Sequence, residues 1–122
     1  MWIFTVHGFY SAVCARIGNG ERNQPVDHNR IMVRARLKSH LNNLKNAFPD
    51  LLEKCEIETF TGTDYKYRIF VSKDTWTTLL EKISEDINYD NFKSAVAKNR
   101  GVGSDYEHSL HDVWSTMYSI QK

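Results

Sequence analysis

Between Arg30 and Arg36 apolar and charged residues alternate. Ile31, Val33 and Ala35 fall on one side of an extended strand, and Arg30, Met32, Arg34 and Arg36 on the other. A change of period follows at once. Leu37, Leu41, Leu44 and Phe48 recur at helical spacing, and Pro49 is expected to end that helix. Upstream, Trp2–His7 and Phe9–Arg16 read as extended runs around Gly8, either one bent strand or two strands with a turn. Residues 17–29 are rich in turn formers without periodicity and read as a long loop, a candidate lid or partner contact. Its Gly18-Asn19-Gly20 lacks the strand-before, helix-after context of a phosphate-binding turn.

Downstream, Cys55–Thr61 and Tyr65–Val71 read as strands joined through Gly62-Thr63-Asp64, which predicts an antiparallel hairpin. Trp76, Leu79, Leu80, Ile83 and Ile87 mark one side of a helix with Lys73, Glu81, Lys82 and Glu85 toward solvent. Asp90 is placed to cap a helix from Asn91 to about Arg100, which Gly101 would stop in a left-handed conformation. Ser104 and Glu107 have capping-box spacing for a last helix with Tyr106, Leu110, Val113, Trp114 and Met117 on its buried face.

The order predicts an α+β fold: a ferredoxin-like-related antiparallel or mixed sheet with helices mainly on one face and two C-terminal helices. A chain of 122 residues suits one domain over 1–122. The apolar start lacks a basic leader and breaks at His7-Gly8, so it reads as a strand rather than a targeting segment. No run approaches the roughly 18 apolar residues of a membrane span, and a cytoplasmic location with no membrane partner is the expectation.

Charge narrows the picture. A net charge of +1 excludes a generic polybasic binder, so any recognition of nucleic acid must rest on a local concentration of Lys and Arg. Two cysteines, Cys14 and Cys55, cannot make a disulfide framework.

With Ile31, Val33 and Ala35 turned to the helices, Arg30, Met32, Arg34 and Arg36 occupy the opposite face. If Tyr65, Tyr67, Ile69 and Val71 also face the helices, then Lys66, Arg68 and Phe70 join the arginines, with Glu56, Glu58 and Phe60 from the neighbouring strand. Guanidinium groups in such a row need either acidic neighbours or an anionic ligand. One reading is a solvent-exposed ladder in which Glu56 and Glu58 pair with Arg34, Arg36 or Arg68, and Met32, Phe60 and Phe70 form a dimer patch. The other is an anion-binding face, with Arg34, Arg36, Tyr65, Lys66, Tyr67 and Arg68 as candidate ligand-binding residues.

His108, His111 and Asp112 share a sector of the last helix, but they lack an evident further ligand, and a solvated face is the simpler reading. His7, His28 and His40 follow no ligand spacing. Trp76 and Trp114 read as core. No nucleophile with a base, paired-carboxylate motif or phosphate loop stands out, and no catalytic residue, cofactor or metal is assigned.

Trp2-Ile3-Phe4-Thr5, Gly8-Phe9-Tyr10-Ser11, Val33-Arg34-Ala35-Arg36, Asp64-Tyr65-Lys66-Tyr67-Arg68, Tyr89-Asp90-Asn91-Phe92-Lys93 and Val113-Trp114-Ser115-Thr116-Met117-Tyr118 carry a resemblance over nearly the whole chain. It resembles a group of small uncharacterised bacterial proteins of similar length. The resemblance implies a single-domain, bacterial, cytoplasmic protein and brings no catalytic residue with it. The expected role is a noncatalytic binding protein, as a homodimer, for RNA, a nucleotide or another phosphorylated anion. The alternative is a protein-interaction module, a small inhibitor or regulatory subunit, using the open sheet face or the 17–29 loop.

Overall fold

A computed structural model describes residues 1–18, 21–99 and 101–122. The strands are β1 (Trp2–Thr5), β2 (Gly8–Arg16), β3 (Val26–Ala35), β4 (Glu58–Thr59) and β5 (Tyr67–Ser72). They form one sheet in the order β1-β2-β3-β5-β4, antiparallel at every pairing. Because β5 lies between β3 and β4, the connection from β3 to β4 is a split crossover. It runs through α1 (Lys38–Ala47) and α2 (Pro49–Leu52). Three further helices follow: α3 (Lys73–Glu85), α4 (Phe92–Lys98) and α5 (Ser104–Tyr118).

The alternation of β3 works as its sequence requires. Ile31, Val33 and Ala35 are buried with Tyr10 and Ala12 from β2, Ile69 and Val71 from β5, Leu41 and Leu44 from α1, and Trp76 and Leu79 from α3. This core is covered by α1 and α3. On the paired strands β1 and β2, Ile3 and Tyr10 belong to it, whereas the next pair, Phe4 and Phe9, turns the other way. Phe4 and Phe9 pack with Val96, Val102, Tyr106 and Leu110, so α4 and α5 cover the opposite face at the β1–β2 end.

Gly8 answers the question of one strand or two. Thr5 Oγ1 accepts from the Gly8 amide and donates to the Gly8 carbonyl, closing a turn between β1 and β2. Gly8 has φ +149°, and a Cβ there would stand 2.4 Å from His40 Cγ. The imidazole is wedged against the turn, with Nδ1 accepting from the Phe9 amide at 3.2 Å. Tyr106 from α5 donates its hydroxyl to the Thr5 carbonyl at 2.8 Å, and Asn99 donates to Val6.

Several boundaries depart from the sequence pattern. β3 starts at Val26, shortening the expected 17–29 loop, and a bulge between Cys14 and Ala15 lets that extension pair with β2. Asn19 and Gly20 of the loop lie outside the described residues. Pro49 ends α1 as expected but also opens α2, because the fixed φ of proline suits a first helical turn. The expected strand Cys55–Thr61 shrinks to two paired residues, and Cys55 lies outside it. Asn91, not Asp90, caps α4, its side chain accepting from the Ser94 amide. Asn99 ends α4 in extended geometry, and in the α4–α5 connection the glycine with positive φ is Gly103, at +81°, rather than Gly101. Gly103 occupies the N-cap of α5, so Ser104 is already helical and the expected capping box does not form. Arg100 lies outside the described residues.

Trp76 is core, but Trp114 is 52% exposed. Ile87, expected on the buried face of α3, follows the helix and is 57% exposed. Among the described residues, no helix is long and apolar enough to cross a membrane.

Candidate functional site

The half of the sheet left open by α4 and α5 carries the arginines. From β3, Arg34 stands directly opposite Arg68 of β5, and Met32 opposite Phe70. Glu58 of β4 is the cross-strand neighbour of Arg68 on its far side. Direct cross-strand partners share a face, so this register places Arg34, Arg68 and Glu58 on one surface.

The guanidinium groups are held by aromatic rings. Arg30 lies over Phe70 at 4.4 Å from the ring centroid, and Arg68 over Phe60 at 4.3 Å. Arg34 and Arg36 share the ring of Tyr65, at 4.6 and 4.5 Å. Each contact attracts by about 0.5–2 kcal/mol depending on desolvation, and none uses up an N–H donor.

Hydrogen bonds then fix the row in place. Arg34 Nη2 donates to Ser11 Oγ at 2.7 Å, Arg36 Nη1 to the Asp64 carbonyl at 2.9 Å, and Arg68 Nε to the Tyr65 carbonyl at 3.2 Å. Arg68 Nη1 also reaches the Met32 sulfur at 3.3 Å. All these acceptors are neutral. Among the described residues no carboxylate forms an ion pair with Arg30, Arg34, Arg36 or Arg68. The expected ladder with Glu56 and Glu58 is therefore not formed, even though Glu58 has the right register. The Asp64 carboxylate instead accepts from the Tyr65 amide.

The electrostatic consequence is visible at Arg68. Burial lowers its pKa from the ordinary guanidinium value, the neighbouring Arg34 charge lowers it further, and Asp64 partly restores it. Arginine remains charged near neutral pH, so the strand pair retains two facing cations. With five N–H donors on each guanidinium, the row keeps many donors for an incoming anion.

Arg34, Arg36, Tyr65 and Arg68 are thus brought together. Tyr65 reaches them because residues 60–66 are not strand, so period-two alternation does not apply to it and its ring turns to the open face. Lys66 is exposed with its Nζ 5.6 Å from the Tyr67 ring. Tyr67 pairs with Ala35 and packs on the helix-covered core, which puts it behind the sheet from the guanidinium row. Ser11 was not evident as a contributor from sequence; its place opposite Arg34 depends on the β2–β3 register.

A cavity of about 410 Å³ adjoins the row where α5 crosses the sheet. Trp2, Phe4 and Phe9 supply apolar wall, Tyr106 and Leu110 come from α5, and Arg36 and Tyr65 connect it to the arginines. Among the described residues three buried side-chain polar atoms lack a hydrogen-bond partner: Arg34 Nε, His40 Nε2 and Tyr65 Oη. Tyr65 and His40 line this cavity, and Arg34 touches Tyr65. Burial lowers the His40 pKa below 6.5, opposed by backbone contacts to Val102 and Phe9.

Elsewhere, among the described residues, no group of three or more His, Cys, Asp or Glu is arranged to hold a metal ion. His108 and His111 border a shallow hollow with Glu107, and the His111 ring stacks on Trp114.

No family model, curated protein or solved structure matches the chain. Its function has to be argued from the chemistry of the site.

Proposed function

We propose that the protein is a noncatalytic binding protein for RNA, a nucleotide or another phosphorylated anion, with Arg34, Arg36 and Arg68 as the anion-contacting residues. One observation carries this reading: the arginine row is positioned by rings and neutral acceptors, without a carboxylate partner among the described residues. A row that served only stability would gain by placing acidic side chains between like charges, and Glu58 stands in register without doing so. Phosphate offers several acceptor oxygens to guanidinium N–H edges, and exposed bases can stack on arginine or on aromatic side chains. Tyr67 is not retained as a contact in this proposal, and Lys66 stands at its margin.

Native mass spectrometry of the protein purified from its own host at low salt, with and without nuclease, tests this. A co-purifying nucleotide or oligonucleotide supports the reading; a clean protein that stays unbound across a nucleotide and RNA screen rejects it. The cytoplasmic, homodimeric setting belongs to the same proposal.

The second reading is a protein-interaction module. It is favoured by the end of α5, where Trp114 and Tyr118 stack at 5.3 Å and Trp114, Met117 and Tyr118 are each more than half exposed. A stoichiometric protein partner that survives nuclease treatment supports that reading.

A further inference from the structure

Among the described residues, two of the three partnerless buried polar atoms, His40 Nε2 and Tyr65 Oη, belong to side chains that line the cavity under α5, and the third, Arg34 Nε, belongs to the guanidinium lying over the Tyr65 ring. Buried polar groups ordinarily find partners, so Tyr65 Oη beside an open cavity is a group that an occupant of the cavity could satisfy. The His40 tautomer is set by its neighbour. Nδ1 accepts from the Phe9 amide, so in the neutral ring Nε2 carries the proton and is a donor, with the Val102 backbone nearby but outside hydrogen-bond geometry, and the pocket's polar character rests on Tyr65 and Arg36.

The remainder of the wall is aromatic. Phe4 and Phe9 stack at 4.5 Å, Trp2 meets Phe9 edge to face at 6.1 Å, and Phe9 approaches Tyr65 at 6.4 Å. The volume, about 410 Å³, is within the usual range for small-ligand sites, which are mostly apolar with a few placed polar groups. Arg36 is part of the wall and Arg34 stands beyond Tyr65, so positive charge lies at the side facing the open sheet. Asp105, from the first turn of α5, supplies negative charge from the helix. This polarity orients an anionic ligand: its flat apolar part beneath α5 and its charge toward Arg36.

We propose that the cavity is a nucleobase pocket and that the minimal ligand is a nucleoside monophosphate, its base among Trp2, Phe4 and Phe9 and its phosphate on Arg36 and Arg34. This rests on the reading of the arginine row as a phosphate site and adds the substrate class. Asp105 then faces the sugar or the exocyclic groups of the base, where a carboxylate accepts hydrogen bonds, and disfavours a reversed ligand.

Calorimetric titration with the four common nucleoside 5′-monophosphates, with inorganic phosphate and with a single-stranded oligoribonucleotide tests this. Two variants accompany it: Ser109→Trp, which fills the cavity from an exposed helix position, and Trp2→Ala, which shortens the wall at a residue 71% exposed. The expected result is binding of at least one monophosphate more tightly than phosphate, weakened about tenfold or more by each variant, as for a lost stacking contact. Circular dichroism confirms that the variants are folded, and Trp2→Ala decides the matter if Ser109→Trp does not fold. Oligonucleotide binding without monophosphate binding overturns the pocket and leaves the arginine face standing. Monophosphate binding unaffected by the folded variants also overturns the pocket, and no binding of any probe overturns both.

Discussion

Arg34 and Arg68 face each other directly across the β3–β5 ladder as two cations, with no ion-paired carboxylate among the described residues. Like charges opposite one another cost stability, by an amount comparable to the roughly 0.2–1 kcal/mol that a favourable cross-strand pair contributes. Replacing Arg68 by Gln relieves that repulsion while losing the contacts to Phe60, the Tyr65 carbonyl and Met32. The two effects oppose. Thermal unfolding of Arg68→Gln should therefore stay within about 1 kcal/mol of the parent protein, while affinity for a phosphorylated ligand falls by about tenfold or more. Severe destabilisation would assign the residue to structure instead.

Tyr65 and Tyr106 make a matched pair of opposites. Both rings are buried, but Tyr106 donates to the Thr5 carbonyl at 2.8 Å whereas the Tyr65 hydroxyl has no partner. Tyr106→Phe should cost about 0.5–1.5 kcal/mol, and more if the freed Thr5 carbonyl stays unsatisfied. Tyr65→Phe removes an uncompensated polar group and should leave the ligand-free protein as stable or more stable, by up to about 1 kcal/mol. Chemical denaturation of the two variants in parallel reads the difference.

Gly8→Ala is expected to be among the most damaging single changes. The added carbon would sit 2.4 Å from His40 Cγ at a backbone angle that side chains disfavour. Overpacking and strain together predict a loss of about 2–4 kcal/mol, seen as a large fall in Tm.

Acid should destabilise the fold through His40. Its folded pKa lies below 6.5 because burial penalises the imidazolium, so the unfolded chain takes up the proton first as pH falls. This contribution to stability is complete above the unfolded value and is lost as pH drops through 6.5 toward the lowered folded value. His7, lowered by burial and partly restored by Asp86, acts in the same direction. His40→Asn keeps an acceptor for the Phe9 amide but cannot take up a proton. The slope of Tm between pH 7 and pH 5 should become shallower, and a slope unchanged from the parent would contradict the assignment.

The residues that obey a single period are the ones that were legible in the sequence. Arg30 to Arg36 alternate without interruption, and the buried and open faces of β3 follow from that alone. Leu41, Leu44, Trp76 and Leu79 were likewise readable from helical spacing. Tyr65 was not, because it precedes β5 and its orientation is set by an irregular stretch rather than by alternation. The start of β3 was hidden because Val26-Asp27-His28-Asn29 is mostly polar and exposed, and it pairs with β2 only through a bulge. The cavity was beyond a local pattern, since Trp2, Phe4 and Phe9 meet a helix about a hundred residues away in sequence. Period also misled at Trp114: it repeats the spacing of the buried face of α5, but the helix extends past the elements that cover Tyr106 and Leu110.

The anion-binding face can be tested by fluorescence anisotropy of a labelled single-stranded oligoribonucleotide, titrated at several salt concentrations with the parent protein and with the Arg34→Gln, Arg36→Gln double variant. If three guanidinium groups contact phosphates, log K should fall with log salt with a slope of about −2, and the folded double variant should bind at least about tenfold more weakly with a slope near −0.7. Salt-insensitive binding, or a folded double variant that binds like the parent, would contradict a phosphate-binding role for this face.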